Sequence, residues 1–123
     1  MSKTVIIAES NEVLLETMAS TLSVLGFNVV GKTSELSKVE DLVTETKPDL
    51  LVFDFSLSGK GKSKNTDLNH LKKQLPKMKI IALGLQEMTD KLEKDILKLG
   101  FDGFWNKYDK RAEFINIVNL LFP

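Results

Sequence analysis

The feature that most constrains the fold of this chain is the regular alternation of short apolar runs with longer segments of helical periodicity. Five such cycles lie along its 123 residues, and the alternation is typical of βα units built on a parallel sheet. The third apolar run has no polar residue in it, which indicates that it is covered on both faces and lies centrally. The predicted strands are Thr4–Ala8, Phe27–Val30, Leu50–Phe53, Lys79–Leu83 and Phe101–Asn106.

The segments between these runs carry apolar residues at three- and four-residue spacing, as in Leu14, Met18 and Leu22 of the first segment. This spacing predicts helices that pack one face against the sheet. We expect the first helix to end at Gly26, because glycine readily adopts the backbone conformation that terminates a helix. The second helix is expected to begin at Thr33 or Ser34, two residue types that cap helix N-termini.

The length and composition predict one domain, residues 1–123, with no output domain after the fifth helix. The 17 basic and 17 acidic residues balance, so no overall field favours direct binding to nucleic acid or to an anionic membrane. The absence of cysteine excludes disulfides and thiolate chemistry. No signal peptide and no apolar run of membrane-spanning length is present, and we therefore predict a cytoplasmic protein.

Charged and polar residues follow directly after three of the predicted strands. Glu9 and Ser10 follow the first strand, Asp54 the third, and Lys107 the fifth. Ligands of open α/β sheets bind outside the carboxyl ends of the strands, and burial of an uncompensated charge is costly. Two carboxylates and a lysine at one crevice therefore predict a site for a cation and a phosphate.

With these residues in place, the chain resembles a response-regulator receiver domain of two-component signalling. The resemblance extends from Thr4 to about Leu121, and its most specific stretches are Pro48–Asp54 and Gly100–Phe104 ahead of Lys107. It implies an α/β, flavodoxin-like three-layer sandwich, in which a five-stranded parallel sheet in the order 2-1-3-4-5 is covered by five helices.

The resemblance also implies a function for the residues at the strand ends. Asp54 would accept a phosphoryl group from a histidine kinase, with the help of a bound magnesium ion. Glu9, Asp54 and the backbone carbonyl of Ser56 would hold the ion, since magnesium prefers oxygen ligands. Lys107 would pair with Asp54 and then with the phosphoryl oxygens. Ser10 is either a further metal ligand or the N-cap of the first helix, and the sequence leaves both open.

The chain departs from the family pattern at several positions. The usual pair of acids after the first strand is reduced to Glu9 and Ser10, which removes one negative charge and predicts a weakened magnesium site. Gly84 stands where a serine or threonine hydroxyl usually bonds the phosphoryl group. Phe104 matches the usual switch aromatic but lacks a hydroxyl. The loop after Asp54 is lysine-rich and carries Ser58 in place of a usual proline.

The residues that match the family pattern and those that depart from it leave two candidate functions. In the first, the chain is a receiver that is phosphorylated by a histidine kinase or a phosphotransfer protein and signals to a downstream protein through its fourth helix and fifth strand. Its only chemistry is then its own phosphorylation and dephosphorylation. In the second, it is a pseudo-receiver, a protein-interaction module without phosphotransfer. Asp54, Glu9 and Lys107 favour the first, whereas Ser10 and Gly84 favour the second; a homodimer is compatible with both.

Overall fold

The computed structural model describes residues 2–54, 68–84, 89–98, 100–107 and 109–123. Within these ranges the chain forms a five-stranded sheet in the order β2-β1-β3-β4-β5, and neighbouring strands are parallel. All residues of the central strand are buried, because helices cover both of its faces. The predicted strand order is confirmed. The strands are β1 (Thr4–Ala8), β2 (Asn28–Thr33), β3 (Leu50–Asp54), β4 (Lys79–Gly84) and β5 (Gly103–Asn106).

Helices alternate with the strands and cover the sheet on both sides. Alternate residues of a strand point to opposite faces, so Val5 and Ile7 pack in one apolar cluster with the helices after β1 and β5, whereas Ile6 and Ala8 pack in another with those after β2 and β3. None of the helices in the described ranges is long and apolar enough to cross a membrane. The helices are α1 (Glu12–Val24), α2 (Val39–Thr46), α3 (Leu68–Gln74), α4 (Asp90–Lys98) and α5 (Arg111–Leu121).

The predicted stop at Gly26 is confirmed, and the predicted start of the second helix is wrong. Gly26 has a φ of 98°, a conformation that suits glycine. By contrast, β2 continues to Thr33, whose partner in β1 is Ala8, and a 3₁₀ turn over Leu36–Lys38 separates it from α2. Neither Thr33 nor Ser34 therefore caps α2, because pairing with a strand distant in sequence extends β2 past its apolar residues.

Two aspartates accept hydrogen bonds from backbone amides near the starts of strands. They lie at the edge of the sheet opposite to the strand ends that carry Glu9 and Asp54. Asp49 Oδ2 accepts a hydrogen bond from the Thr4 amide at 2.8 Å. Asp102 Oδ2 accepts bonds from the Ile80 amide at 2.8 Å and from Lys72 Nζ at 2.7 Å. These two carboxylates satisfy backbone donors at the starts of strands, which gives them a structural role.

Candidate functional site

The carboxyl ends of three strands bring Glu9, Asp54 and Lys107 into contact. Because β1 and β3 are adjacent and Ala8 pairs with Phe53, the next residues, Glu9 and Asp54, lie side by side. Lys107 Nζ lies 2.8 Å from Glu9 Oε2 and 3.2 Å from Asp54 Oδ2. Both carboxylate side chains are fully buried, and that of Lys107 is 12% exposed. The structure therefore places at one crevice the charged residues that the sequence placed at three strand ends.

Ser10 contacts Asp54 and does not cap a helix. Its amide and its hydroxyl both donate to Asp54 Oδ2, at 3.0 and 2.5 Å. The N-cap of α1 is Asn11, whose side chain accepts from the Leu14 amide at 3.0 Å. The N-cap interpretation of Ser10 is therefore wrong. Asparagine caps helices as well as serine does, so the signal for Asn11 was present in the sequence but was not distinguishable from that of its neighbour.

The hydrogen bonds that described residues donate to the Glu9 carboxylate both reach one of its two oxygens, Oε2. This atom accepts from Lys107 Nζ at 2.8 Å and from the Asn11 amide at 2.9 Å, whereas Oε1 is buried and has no hydrogen-bond partner among the described residues. Burial raises the pKa of the Glu9 carboxyl above its ordinary value of 4.5; the hydrogen bonds from Lys107 and Asn11 oppose the shift, and the charge of Asp54 adds to it. The contribution of Asn11 was not predicted from the sequence.

The raised pKa of Glu9 predicts how stability depends on pH. A carboxyl with a higher pKa in the folded state binds its proton more tightly there, so its ionisation lowers the free energy of unfolding as pH rises above 4.5 and through the folded-state pKa. We expect Glu9→Gln to flatten this decline, because the amide does not ionise and Lys107 keeps Asp54 as its partner. Urea denaturation at a series of pH values measures the decline.

The control for this experiment is Glu45→Gln, which neutralises an exposed acid in α2. That variant should follow the pH dependence of the natural chain. If Glu9→Gln declines with pH as steeply as the natural chain, the carboxyl at position 9 is not the group that loses stability on ionisation.

The pocket offers the oxygen ligands that a hard divalent cation prefers. Glu9 and Asp54 supply two buried carboxylates. The Oε1 of Glu9, which no described residue contacts by a hydrogen bond, is a buried acceptor that a cation could satisfy. Magnesium is often held by one or two carboxylates and water, so this donor set fits the ion. In the described ranges no three His, Cys, Asp or Glu side chains form a metal-binding group. Ser56, like Ser58 and the lysines of its loop, lies outside the described residues.

The two residues assigned to the switch lie on β4 and β5. Gly84 is the buried last residue of β4, and its carbonyl accepts from the Lys107 amide at 2.7 Å. It therefore links the end of β4 to the residue that carries the lysine, but it offers no hydroxyl to the pocket. Phe104 pairs with Ala82, and its partly buried ring packs against the apolar cluster that contains Phe53.

An open parallel sheet with two buried carboxylates and a lysine at its carboxyl edge defines a class of α/β proteins with an acidic pocket at the strand ends. A family model described as the response regulator receiver domain matches residues 5–119. The chain therefore belongs to the response regulator receiver domain family.

Solved structures of response regulators share this fold. The isolated REC domain of RcsB from Salmonella enterica serovar Typhimurium is 20% identical, with 98% of this chain and 88% of that chain covered and a TM-score of 0.83. A LuxR-family DNA-binding response regulator from Staphylococcus aureus is 19% identical, with 97% and 98% covered and a TM-score of 0.78. A response regulator from Thermotoga maritima is 16% identical, with 98% of each chain covered and a TM-score of 0.81.

These identities establish the fold and leave the site to be argued from its own residues. The chain spans 60% of the length of RcsB in its complex with the promoter rprA. A search of curated proteins found no matching sequence.

Proposed function

We propose that this receiver domain accepts a phosphoryl group on Asp54 from a histidine kinase or a phosphotransfer protein and so regulates a downstream protein. One observation carries the proposal: Asp54 is fully buried at the end of the central strand, and Lys107 Nζ lies 3.2 Å from its Oδ2. Burial of a carboxylate beside a second one costs several kcal/mol that a hydrophobic pair would not. Such an arrangement is typical of groups that perform chemistry.

The residues of the pocket have distinct roles in this reaction. A carboxylate oxygen of Asp54 forms a bond to phosphorus while the bond between phosphorus and the donor breaks. Lys107, which contacts both carboxylates, pairs with the phosphoryl oxygens as a point charge. A magnesium ion held by Glu9, Asp54 and the carbonyl of Ser56 would neutralise charge on those oxygens. Since one family acid is replaced by Ser10, we propose that the ion binds weakly.

The pseudo-receiver is the second candidate, and a specific contact favours it. Ser10 donates two hydrogen bonds to Asp54 Oδ2, where the family pattern has a second acid. Gly84 at the end of β4 lacks the hydroxyl that would couple a phosphoryl group to the distal face. In this alternative the chain binds its partner regardless of phosphorylation.

Incubation with magnesium chloride and acetyl phosphate, followed by intact mass measurement, distinguishes the two candidates. The proposed receiver gains the mass of one phosphoryl group, and the gain requires the divalent ion. A chain that gains no mass with acetyl phosphate, and none with a phosphorylated histidine kinase, is a pseudo-receiver. We further propose that the domain acts in the cytoplasm and turns over only its own aspartyl phosphate.

Gly84 predicts a weak response of the distal face to phosphorylation. A ligand shifts two conformations only by its differential interaction with them, and Gly84 has no side chain to contact a phosphoryl group. We expect Gly84→Thr to strengthen the coupling by about 1 kcal/mol, because the residue lies in a strand, where β-branched residues are favourable. Amide chemical-shift changes around Phe104 on addition of beryllofluoride report the coupling.

Gly84→Ala is the matched control, since it adds the Cβ without a hydroxyl and should respond as weakly as the natural chain. Both variants enlarge a buried position, and overpacking typically costs about 1–3 kcal/mol, so their stabilities are measured alongside. If the natural chain already shows large shifts around Phe104 and Gly84→Thr adds nothing, the missing hydroxyl does not limit the switch.

A further inference from the structure

Three donors converge on one oxygen of the buried Asp54 carboxylate. The amide of Ser10 lies 3.0 Å and its hydroxyl 2.5 Å from Oδ2, and Lys107 Nζ lies 3.2 Å from the same atom. A carboxylate oxygen accepts hydrogen bonds through two lone-pair sites. The two hydrogen bonds from Ser10 fill those two sites, and Lys107 adds an ion-pair contact at the longer distance of 3.2 Å.

The two hydrogen bonds from Ser10 differ in how they can be released. The amide belongs to the backbone between β1 and α1. This backbone is held in place because Ala8, before it, pairs in the sheet and Asn11, after it, caps the helix. The hydroxyl lies on a side chain that moves between staggered rotamers, and Ser10 is an exposed residue. The hydroxyl is thus the donor that can leave Oδ2 without a change in the fold.

The Glu9 carboxylate explains why a divalent cation would displace the hydroxyl from Asp54 Oδ2. Within the part of the chain that the structure describes, Glu9 Oε1 is buried without a hydrogen-bond partner, and a buried acceptor in that state costs free energy. A divalent cation bound between Glu9 and Asp54 would satisfy this atom. At Asp54 Oδ2, the oxygen that shares Lys107 with Glu9, the cation would need the lone pair to which the Ser10 hydroxyl donates. A second acid at position 10 would attract the cation, whereas a serine hydroxyl presents a positive hydrogen to the same oxygen.

We propose that Ser10 is a positioning residue whose hydroxyl holds Asp54 Oδ2 and competes with a divalent cation for that oxygen. The replacement of the family acid by serine then does more than remove a charge: it adds a donor that must turn away before the cation binds. This inference rests on the proposed role of Asp54 as the phosphoryl acceptor. Ser10 then controls how readily the pocket binds the divalent cation.

Ser10→Ala and Ser10→Thr in the full chain separate this competition from charge, because neither variant changes the charge of the pocket. Ser10→Ala lacks the competing hydroxyl, and we expect it to bind Mg²⁺ about three- to tenfold more tightly than the natural chain, the factor expected for loss of one hydrogen bond. Ser10→Thr keeps the hydroxyl and should bind with the natural affinity. The titration is followed by the amide resonances of residues 9, 10 and 54.

A second readout needs no metal. The ¹³C resonance of the Asp54 carboxyl should shift in Ser10→Ala and stay close to the natural position in Ser10→Thr, because only the first variant loses a donor to Oδ2. At a Mg²⁺ concentration below saturation, acetyl phosphate should phosphorylate Ser10→Ala faster than the natural chain by about the same three- to tenfold factor.

The outcomes separate this inference from the function on which it rests. If Ser10→Ala binds Mg²⁺ with unchanged or lower affinity, or if neither protein responds to Mg²⁺, the competition by Ser10 is refuted. If Ser10→Ala binds more tightly and yet no form is phosphorylated, the competition stands and the phosphoacceptor role of Asp54 fails. Equal affinities together with equal phosphorylation rates leave the receiver function intact and overturn the role of Ser10.

Discussion

Replacement of Asp54 by asparagine abolishes phosphorylation of the chain by acetyl phosphate, to below the detection limit of intact mass measurement. An amide nitrogen and a neutral carbonyl oxygen are poor nucleophiles compared with a carboxylate. The side chain keeps its size, and it removes a negative charge from beside the buried Glu9. The variant should therefore fold, and the loss of phosphorylation is a loss of chemistry.

Asp109→Asn is the control for this variant, because Asp109 is an exposed aspartate ahead of α5. It should be phosphorylated to the same extent as the natural chain. A gain of phosphoryl mass that persists in Asp54→Asn would assign the acceptor to another residue and remove the basis of the proposed function.

Replacement of Lys107 by methionine is expected to have the largest effect on stability. Lys107 forms ion pairs with two carboxylates that are both fully buried, so its removal leaves two adjacent negative charges without a cation. Loss of one partner from a buried ion pair typically costs about 3–5 kcal/mol. Methionine keeps most of the apolar stem, so the loss reports the charge. Urea denaturation at pH 7 measures the free energy of unfolding.

Two comparisons test the cause of this loss. Lys94→Met removes an exposed lysine from α4 and should change stability by less than about 0.5 kcal/mol. The double variant of Lys107→Met with Glu9→Gln should regain part of the lost stability, because one of the two stranded charges is then gone. Equal losses for Lys107→Met and Lys94→Met would mean that the buried carboxylates do not need the lysine.

Much of the fold follows from patterns within short stretches of the sequence. The apolar run Leu50–Phe53 predicted a central strand, and the structure buries the whole of β3. The position of Asp54 at the end of that strand, and of Glu9 at the end of β1, followed from where the apolar runs stop. Strand ends in a parallel sheet meet at one edge, so the convergence of these residues was predictable before their distances were known.

Contacts between residues distant in sequence were decided by the tertiary structure. Pairing with β1 extends β2 to Thr33, although no change from apolar to polar residues in the local sequence marks Thr33 as the end of a strand. Ser10 does not cap α1, because its amide and hydroxyl donate to Asp54 at the end of the neighbouring strand β3. The local sequence indicates which side chains can accept or donate hydrogen bonds, but strand register decides which groups they meet.

The sequence by itself therefore determined the class of fold, the order of its elements and the charged residues at the strand ends, because these depend on periodicity and on where apolar runs stop. The tertiary structure alone decided that Ser10 donates to Asp54 Oδ2, that a buried oxygen of Glu9 has no partner among the residues described, and that Lys107 contacts both carboxylates. Hydrogen bonds require donor–acceptor distances of about 3 Å, and distances of that size between remote residues are fixed only when the strands have paired and the helices have packed.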